Sequence, residues 1–124
     1  MLIKKFEDIV AWQHSRELTK TIYELTRKAN FHHDFGLRDQ IQRASTSIMA
    51  NISEGFDSKS KNDFLRFLSY ASRSTSEVQS HLYTALDQNY ISPTEFEATY
   101  NKASLTKNLI GAFIRYLNKN LNNK

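Results

Sequence analysis

Leu37-Arg38-Asp39-Gln40-Ile41-Gln42-Arg43-Ala44-Ser45-Thr46-Ser47-Ile48-Met49-Ala50-Asn51-Ile52-Ser53-Glu54-Gly55 decides the fold. Leu37, Ile41, Ala44, Ile48 and Ile52 recur at steps of four, three, four and four residues, the apolar stripe of one helix. Gly55 stands where such a helix is expected to stop. On or beside the stripe sit Gln40, Arg43, Asn51 and Glu54, which are costly to bury. A polar set at such positions predicts a specific site or a buried network.

The same spacing extends in both directions. Upstream, Ile9, Ala11, Ser15, Leu18, Ile22, Leu25 and Ala29 trace a second stripe. Glu7 and Asp8 lie in its first turn and Arg27 and Lys28 in its last, as the helix dipole prefers. Asn30 to Asp34 reads as a connector, with Asp34 as the N-cap of the next helix. Downstream, Ser60 and Asp63 resemble a capping box. Phe64, Phe67, Leu68, Ala71, Val78, Leu82 and Ala85 form the core face that follows, and Asn89 is a candidate left-handed terminator. Ser92-Pro93-Thr94-Glu95 combines a capping serine, a proline at the first helical position and a glutamate three residues after the cap. The face behind it is Phe96, Tyr100, Ala103, Ile110, Phe113, Leu117 and Leu121. The predicted helices cover residues 7–28, 36–54, 60–88 and 93–121 of a single domain, 1–124. Short connections favour antiparallel neighbours, so the expectation is an all-α, antiparallel up-down-up-down four-helix bundle.

The chain has no cysteine, which excludes disulfides and thiolate metal sites. Met1 to Asp8 is charged rather than an apolar leader, and no stretch approaches the roughly 20 apolar residues of a membrane span. A soluble cytoplasmic protein with no membrane partner is expected. The net charge is +4 and the pI ≈ 9.4. No acidic residue follows Glu97, whereas Lys102, Lys107, Arg115, Lys119 and Lys124 do. These cations either complement the C-terminal dipole of the last helix or, with Lys59 and Lys61, contact nucleic acid. The bundle topology gathers Lys4, Lys5, Lys59, Lys61, Lys119 and Lys124 at one pole, but Glu7, Asp8, Glu54, Asp57 and Asp63 join them and neutralise much of the charge.

Phe64, Leu65, Phe67, Leu68, Tyr70 and Ala71 point in nearly every direction around a helix. Such a segment calls for a second burial partner, so these residues are expected near a self-association interface. Phe6, Trp12 and Tyr116 could add to it. The stretch Arg73 to His81 is polar and mostly small, which lets helices approach closely. An antiparallel register predicts a cross-helix Arg43–Glu77 pair within a structural network of Gln40, Arg43, Asn51, Glu54, Arg66, Arg73 and Glu77. The functional alternative has Arg43, Arg66 and Arg73 binding an anion.

His32-His33-Asp34 lacks a third ligand at metal-site spacing, and no Glu-x-x-His motif occurs. There is no glycine-rich phosphate loop and no Gly-x-Ser-x-Gly. The reading is a non-enzyme with no catalytic residue, no metal and no cofactor.

Several segments carry a resemblance to a known family. Phe6-Glu7-Asp8-Ile9-Val10-Ala11-Trp12-Gln13 resembles its opening Phe-x-x-Leu-x-x-Trp-Gln, with Ile9 in place of Leu. Gly36 to Ala44 is similar to Gly-Leu-x-x-Gln-Ile-x-Arg-Ala, and Ser47 to Gly55 to Ser-Ile-x-x-Asn-Ile-Ala-Glu-Gly, with Ser53 for Ala. Phe64 to Leu68, Ser74 to Glu77 and Tyr90-Ile91 continue the series. Together they resemble the bacterial four-helix-bundle proteins encoded in intervening sequences of 23S ribosomal RNA genes, the S23 ribosomal protein family. The resemblance implies a ring-like homopentamer. It also implies an architecture similar to the accessory variability proteins of diversity-generating retroelements, which bind nucleic acid and a reverse transcriptase. The expected function is a non-enzymatic, oligomeric protein associated with RNA or DNA. The alternative is a protein-interaction or scaffold module, for example an accessory to a reverse transcriptase.

Overall fold

A computed structural model describes residues 3–122, with side chains through Lys119. Leu121 and Lys124, named above, lie outside the described side chains. The elements are a 3-10 turn at Phe6–Asp8, then α1 (Val10–Leu25), α2 (Ala29–His33), α3 (Phe35–Asp57), α4 (Lys61–Asp87) and α5 (Pro93–Asn122). No strand occurs among the described residues, and the all-α class holds.

The long helices form a square in which α3 packs on α4, α4 on α5, and α1 closes the ring against α3 and α5. Paired cross-helix contacts run antiparallel: Thr19 with Ser45 and Thr26 with Gln42 between α1 and α3, Gly55 with Phe64 and Ser47 with Ser74 between α3 and α4, and Phe64 with Phe113 and Gln79 with Ser104 between α4 and α5. Thr19 Oγ1 donates to the Ser45 carbonyl at 3.1 Å, and Gln42 Nε2 donates to Thr26 Oγ1 at 2.9 Å. Gln79 Nε2 donates to Ser104 Oγ at 2.8 Å between α4 and α5. Lys102 Nζ donates to Thr21 Oγ1 at 3.2 Å between α5 and α1. Inside the square, Leu18, Ile22, Ile41, Ile48, Ile52, Leu68, Val78, Leu82 and Ile110 are completely buried. The stripe that starts at Leu37 thus faces the core. Thr75 and Thr106 are buried among these residues, and each donates to a carbonyl of its own helix, which satisfies the hydroxyl.

The starts of α3, α4 and α5 and the end of α4 obey the expected chemistry. Asp34 Oδ1 accepts from the Leu37 N–H at 3.1 Å, and Ser60 Oγ from the Asp63 N–H at 3.1 Å. At α5 both halves of the capping box form, Glu95 N–H to Ser92 Oγ and Ser92 N–H to Glu95 Oε1. Asn89 adopts φ 61, and the Asn89 and Tyr90 N–H groups donate back to Leu86 and Ala85. That is a Schellman ending with asparagine in the left-handed position.

Three local expectations are corrected. The first helix spans Val10–Leu25 rather than 7–28, because Ile9 is extended (φ -75, ψ 118), and Glu7, Asp8, Arg27 and Lys28 lie outside its end turns. Residues 29–33 are a short helix, not an open connector: it plugs one end of the bundle with Phe31, fully buried and stacked on Tyr90 at 5.3 Å. Gly55 does not end its helix. The helix runs on to Asp57, and no glycine has positive φ. Gly55 is instead required by contact, since a Cβ there would sit 2.8 Å from Phe64 Cδ1 and 3.0 Å from Phe67 Cβ.

The plugged pole is tied by polar contacts as well. Tyr90 donates to Asp34 Oδ2 at 2.9 Å, and that bond holds the phenol above its ordinary pKa. Lys28 Nζ lies 2.7 Å from Glu95 Oε2. Lys28 and the Ser92 N–H favour the ionised carboxylate, so Glu95 sits below the usual carboxylate range.

Two outcomes follow from these contacts. Gly55→Ala gains helix propensity of about 1 kcal/mol but forces α4 outward at Phe67, an overpacking cost of about 1–3 kcal/mol. Urea unfolding should therefore show a net loss, and Gly55→Val a larger one. A depressed carboxylate pKa contributes stability that is complete above its unfolded value and lost as pH falls through the folded one. Thermal stability should therefore drop on acidification below about pH 4, less steeply in Glu95→Gln.

Candidate functional site

Two polar stripes meet on the outer face of α3 and α4. Arg43, Ser47, Asn51 and Glu54 step by four, four and three along α3; Arg66, Tyr70, Arg73 and Glu77 step by four, three and four along α4. Ser74 Oγ donates to Ser47 Oγ at 3.1 Å and fixes the register between them. Asn51 Nδ2 donates to the Ser47 carbonyl at 2.9 Å and to Ser47 Oγ at 3.0 Å.

The charged members do not join this hydrogen-bonded centre. Gln40, Arg43, Glu54, Arg66, Arg73 and Glu77 are exposed and Asn51 is half-buried, so the expected buried network does not form within the single chain. The Arg43–Glu77 pair is absent among the described residues. Glu77 Oε2 lies instead 3.6 Å from His81 Nε2, a buried atom with no hydrogen-bond partner. Arg66 pairs with Asp63 at 3.2 Å, one turn back on its own helix. Arg66 also lies over the Phe67 ring and Arg73 over Tyr70, at 5.6 and 5.5 Å from the centroids. The physical reason is position on the helix. These side chains sit at the edge of the core stripe, and a charge there keeps its hydration by reaching outward.

The apolar start of α4 divides between core and surface. Leu68 is 0% exposed and belongs to the core, which removes it from any interface. Phe64 and Leu65 pack against that core, Phe64 edge-on to Phe113 at 5.5 Å. Flanking α3 and α5 thus supply much of the cover that the sequence assigns to a second molecule. Tyr70, 38% exposed, and the partly buried Phe67 face the α3/α4 surface, 6.1 Å apart. Elsewhere, Phe6 and Trp12 pack on each other at 5.1 Å against the core, and exposed Tyr116 stacks on Phe113. Val10, Leu109 and Tyr116 border an open apolar cavity of about 250 Å³.

The expected nucleic-acid contacts lie apart from that face. Lys102, Lys107, Arg115 and Lys119 are exposed on α5, and none makes a salt bridge among the described residues. Arg115 and Lys119, four apart, share the outer face opposite buried Ala103, Ile110 and Leu117. Lys102 and Lys107 flank it, leaning on Thr21 of α1 and Ser76 of α4. Lys59 is exposed and Lys61 half-buried at the α3–α4 connection. One feature escaped the sequence reading: Tyr83, Phe96 and Tyr100 form an aromatic cluster at the α4/α5 surface, where Tyr100 beside it raises the Tyr83 pKa. The spacing of Phe96 and Tyr100 marked them as core, but both are only half-buried. Tyr83 carried no signal, because one aromatic on a polar face is ordinary.

An all-α bundle of four long helices with separate charge-mixed and cationic faces is the class of protein defined here. The chain belongs to the 23S rRNA-intervening sequence protein family, whose model matches residues 7–112. It is similar to a crystal structure of a protein with unknown function from the S23 ribosomal protein family of Bacteroides thetaiotaomicron. That match has a TM-score of 0.79 and 28% identity, and covers 84% of this chain and 97% of the other. No curated protein matches the chain. No helix among the described residues is long and apolar enough to cross a membrane.

Proposed function

We propose that this protein is a non-enzymatic helical bundle that associates with nucleic acid, RNA in the first place, through α5, and with copies of itself through the α3/α4 face. The observation that carries the nucleic-acid reading is the set of carboxylate-free cations on α5. Lys28, Arg38 and Arg66 each hold a carboxylate, whereas Lys102 and Lys107 donate to neutral hydroxyls and make no salt bridge among the described residues. From Lys102 to Lys119 the cations span about 26 Å of helix with no acid between them. A surface of that kind suits a phosphate backbone, where affinity comes from releasing counterions. Membership of a family named for a ribosomal RNA intervening sequence agrees with this reading.

Self-association rests on a different surface. The α3/α4 face carries Arg43, Arg66 and Arg73 against Glu54, Glu77 and Asp63, equal numbers of each sign beside exposed Tyr70. A charge-balanced patch with an aromatic and arginines suits a protein surface better than a polyanion. A second copy offers complementary charges to those that this chain leaves without a cross-helix partner. A scaffold role toward another protein would use the same face, and the exposed Tyr70 and Arg73 favour it as the second reading.

Two measurements test the pair. RNA affinity, measured by filter retention, should fall steeply between about 50 and 200 mM salt and weaken several-fold when Lys102, Lys107, Arg115 and Lys119 are changed together to Gln. A flat salt response, or no retention at low salt, defeats the reading. Sedimentation at protein concentrations on the order of 10 μM should show an oligomer that Arg73→Glu dissociates while the circular dichroism stays helical. A wild-type monomer under these conditions ends the self-association proposal.

A further inference from the structure

Between α4 and α5, on the flank away from α3, the aromatic cluster leads into a polar row. Tyr83 is 51% exposed, and its ring lies 4.9 Å from Phe96 and 5.6 Å from Tyr100, so it is held in place while much of it meets water. One turn along the groove, Gln79 spends its amide hydrogens on Ser104 Oγ and, at 3.4 Å, the Tyr100 carbonyl. Its own carbonyl oxygen remains as an acceptor. One turn further, Lys107 Nζ donates to Ser76 Oγ at 2.6 Å. From Tyr83 to Ser76, and from Tyr100 to Lys107, the row covers about 10 Å.

The charge along this groove is graded. Asp87 and Glu97 stand at the aromatic end, one turn past Tyr83 and one residue past Phe96. Beyond Glu97 the chain has no acid, and Lys107 makes no salt bridge among the described residues.

We propose that the α4/α5 groove binds single-stranded nucleic acid, with one base stacked on Tyr83 and a neighbouring phosphate on Lys107. The proposal rests on the nucleic-acid reading above and adds the form of strand to it. Every base has a π-face, and a fixed, exposed aromatic beside a cation is how proteins grip unpaired strands without reading sequence. A duplex keeps its bases stacked on one another and has nothing to offer Tyr83. Lys107 needs to leave only a neutral hydroxyl to meet a phosphate, and Gln79, between the two, can accept from a base amino or imino group. A proline-rich peptide could also lie on the aromatics, but it has no use for an unpaired lysine about 10 Å away.

The experiment is fluorescence anisotropy with labelled oligo(U) of about 12 nucleotides and an RNA duplex of the same length. The single strand is expected to bind about tenfold tighter than the duplex, and Tyr83→Ala to lose about tenfold on the single strand alone. Tyr83→Phe should retain the wild-type affinity, and Lys107→Gln should lower the salt slope by about 0.7. A urea midpoint equal to wild type shows that Tyr83→Ala is folded. Equal affinity for both strands, with Tyr83→Ala unchanged, overturns this proposal and leaves the broader reading standing. No binding of either RNA at low salt overturns both. Poly-L-proline binding that Tyr83→Ala abolishes, without competition by oligo(U), overturns the assignment in favour of a peptide groove.

Discussion

The approach of α4 to α3 at Gly55 governs the rest of the molecule. Two helices cannot come this close with ordinary side chains between them; here Phe64 and Phe67 of α4 occupy the space a Cβ would take. Phe64 can then reach Phe113 on α5, and Leu68 can drop fully into the core. Further along the same seam, Ser47 and Ser74 continue the close packing, joined by a hydroxyl bond. Small residues therefore set the α3/α4 distance over several turns. That distance fixes how far the flanking charged stripes stand from one another.

Those stripes show how packing and electrostatics separate. Arg43 lies roughly level with Glu77 in the antiparallel register, yet each points away from the seam. Joining them over the serines would require both to shed water for a bond whose net worth is small. Each finds cheaper local company or solvent instead: Glu77 lies near His81, Arg66 pairs with Asp63, and Arg73 covers Tyr70. The result is a face with fixed small residues at its centre and unspent charges at its margins.

The fold was legible where a single helix carries its own instructions. The stripe from Leu37 to Ile52 and the caps at Asp34, Ser60 and Ser92 are local signals, and each appears in the structure with the expected partner. Asn89 likewise announced its left-handed turn. What was not legible depends on other helices. Gly55 looks like a terminator in one dimension and proves to be a contact in three. Phe31 sits in a segment too short for periodicity to report, so its role as a plug against Tyr90 was invisible. Leu68 and Tyr70 read alike as hydrophobes on a crowded helix, but only the placement of α3 and α5 separates a core residue from a surface one. The candidate site is harder still, because exposure of Arg43 or Tyr83 is a property of the assembled surface and leaves no mark on the sequence.

The division of charge between faces constrains any functional account. Arginine dominates the α3/α4 face, where it lies over aromatic rings and beside carboxylates; lysine dominates α5, where acids are absent beyond Glu97. Guanidinium is planar and weakly hydrated, suited to stacking and to fixed pairs in a desolvated protein contact. Ammonium is a mobile, well-hydrated charge that can follow a phosphate backbone without a set geometry. Were a single polyanion to cover both faces, it would have to sit against Glu54 and Glu77. Were a second protein to cover both, it would have to bury three lysines and Arg115, none of which makes a salt bridge among the described residues. The two faces are therefore suited to different partners, and the α4/α5 groove, with aromatics at one end and Lys107 at the other, lies beside the lysines of α5.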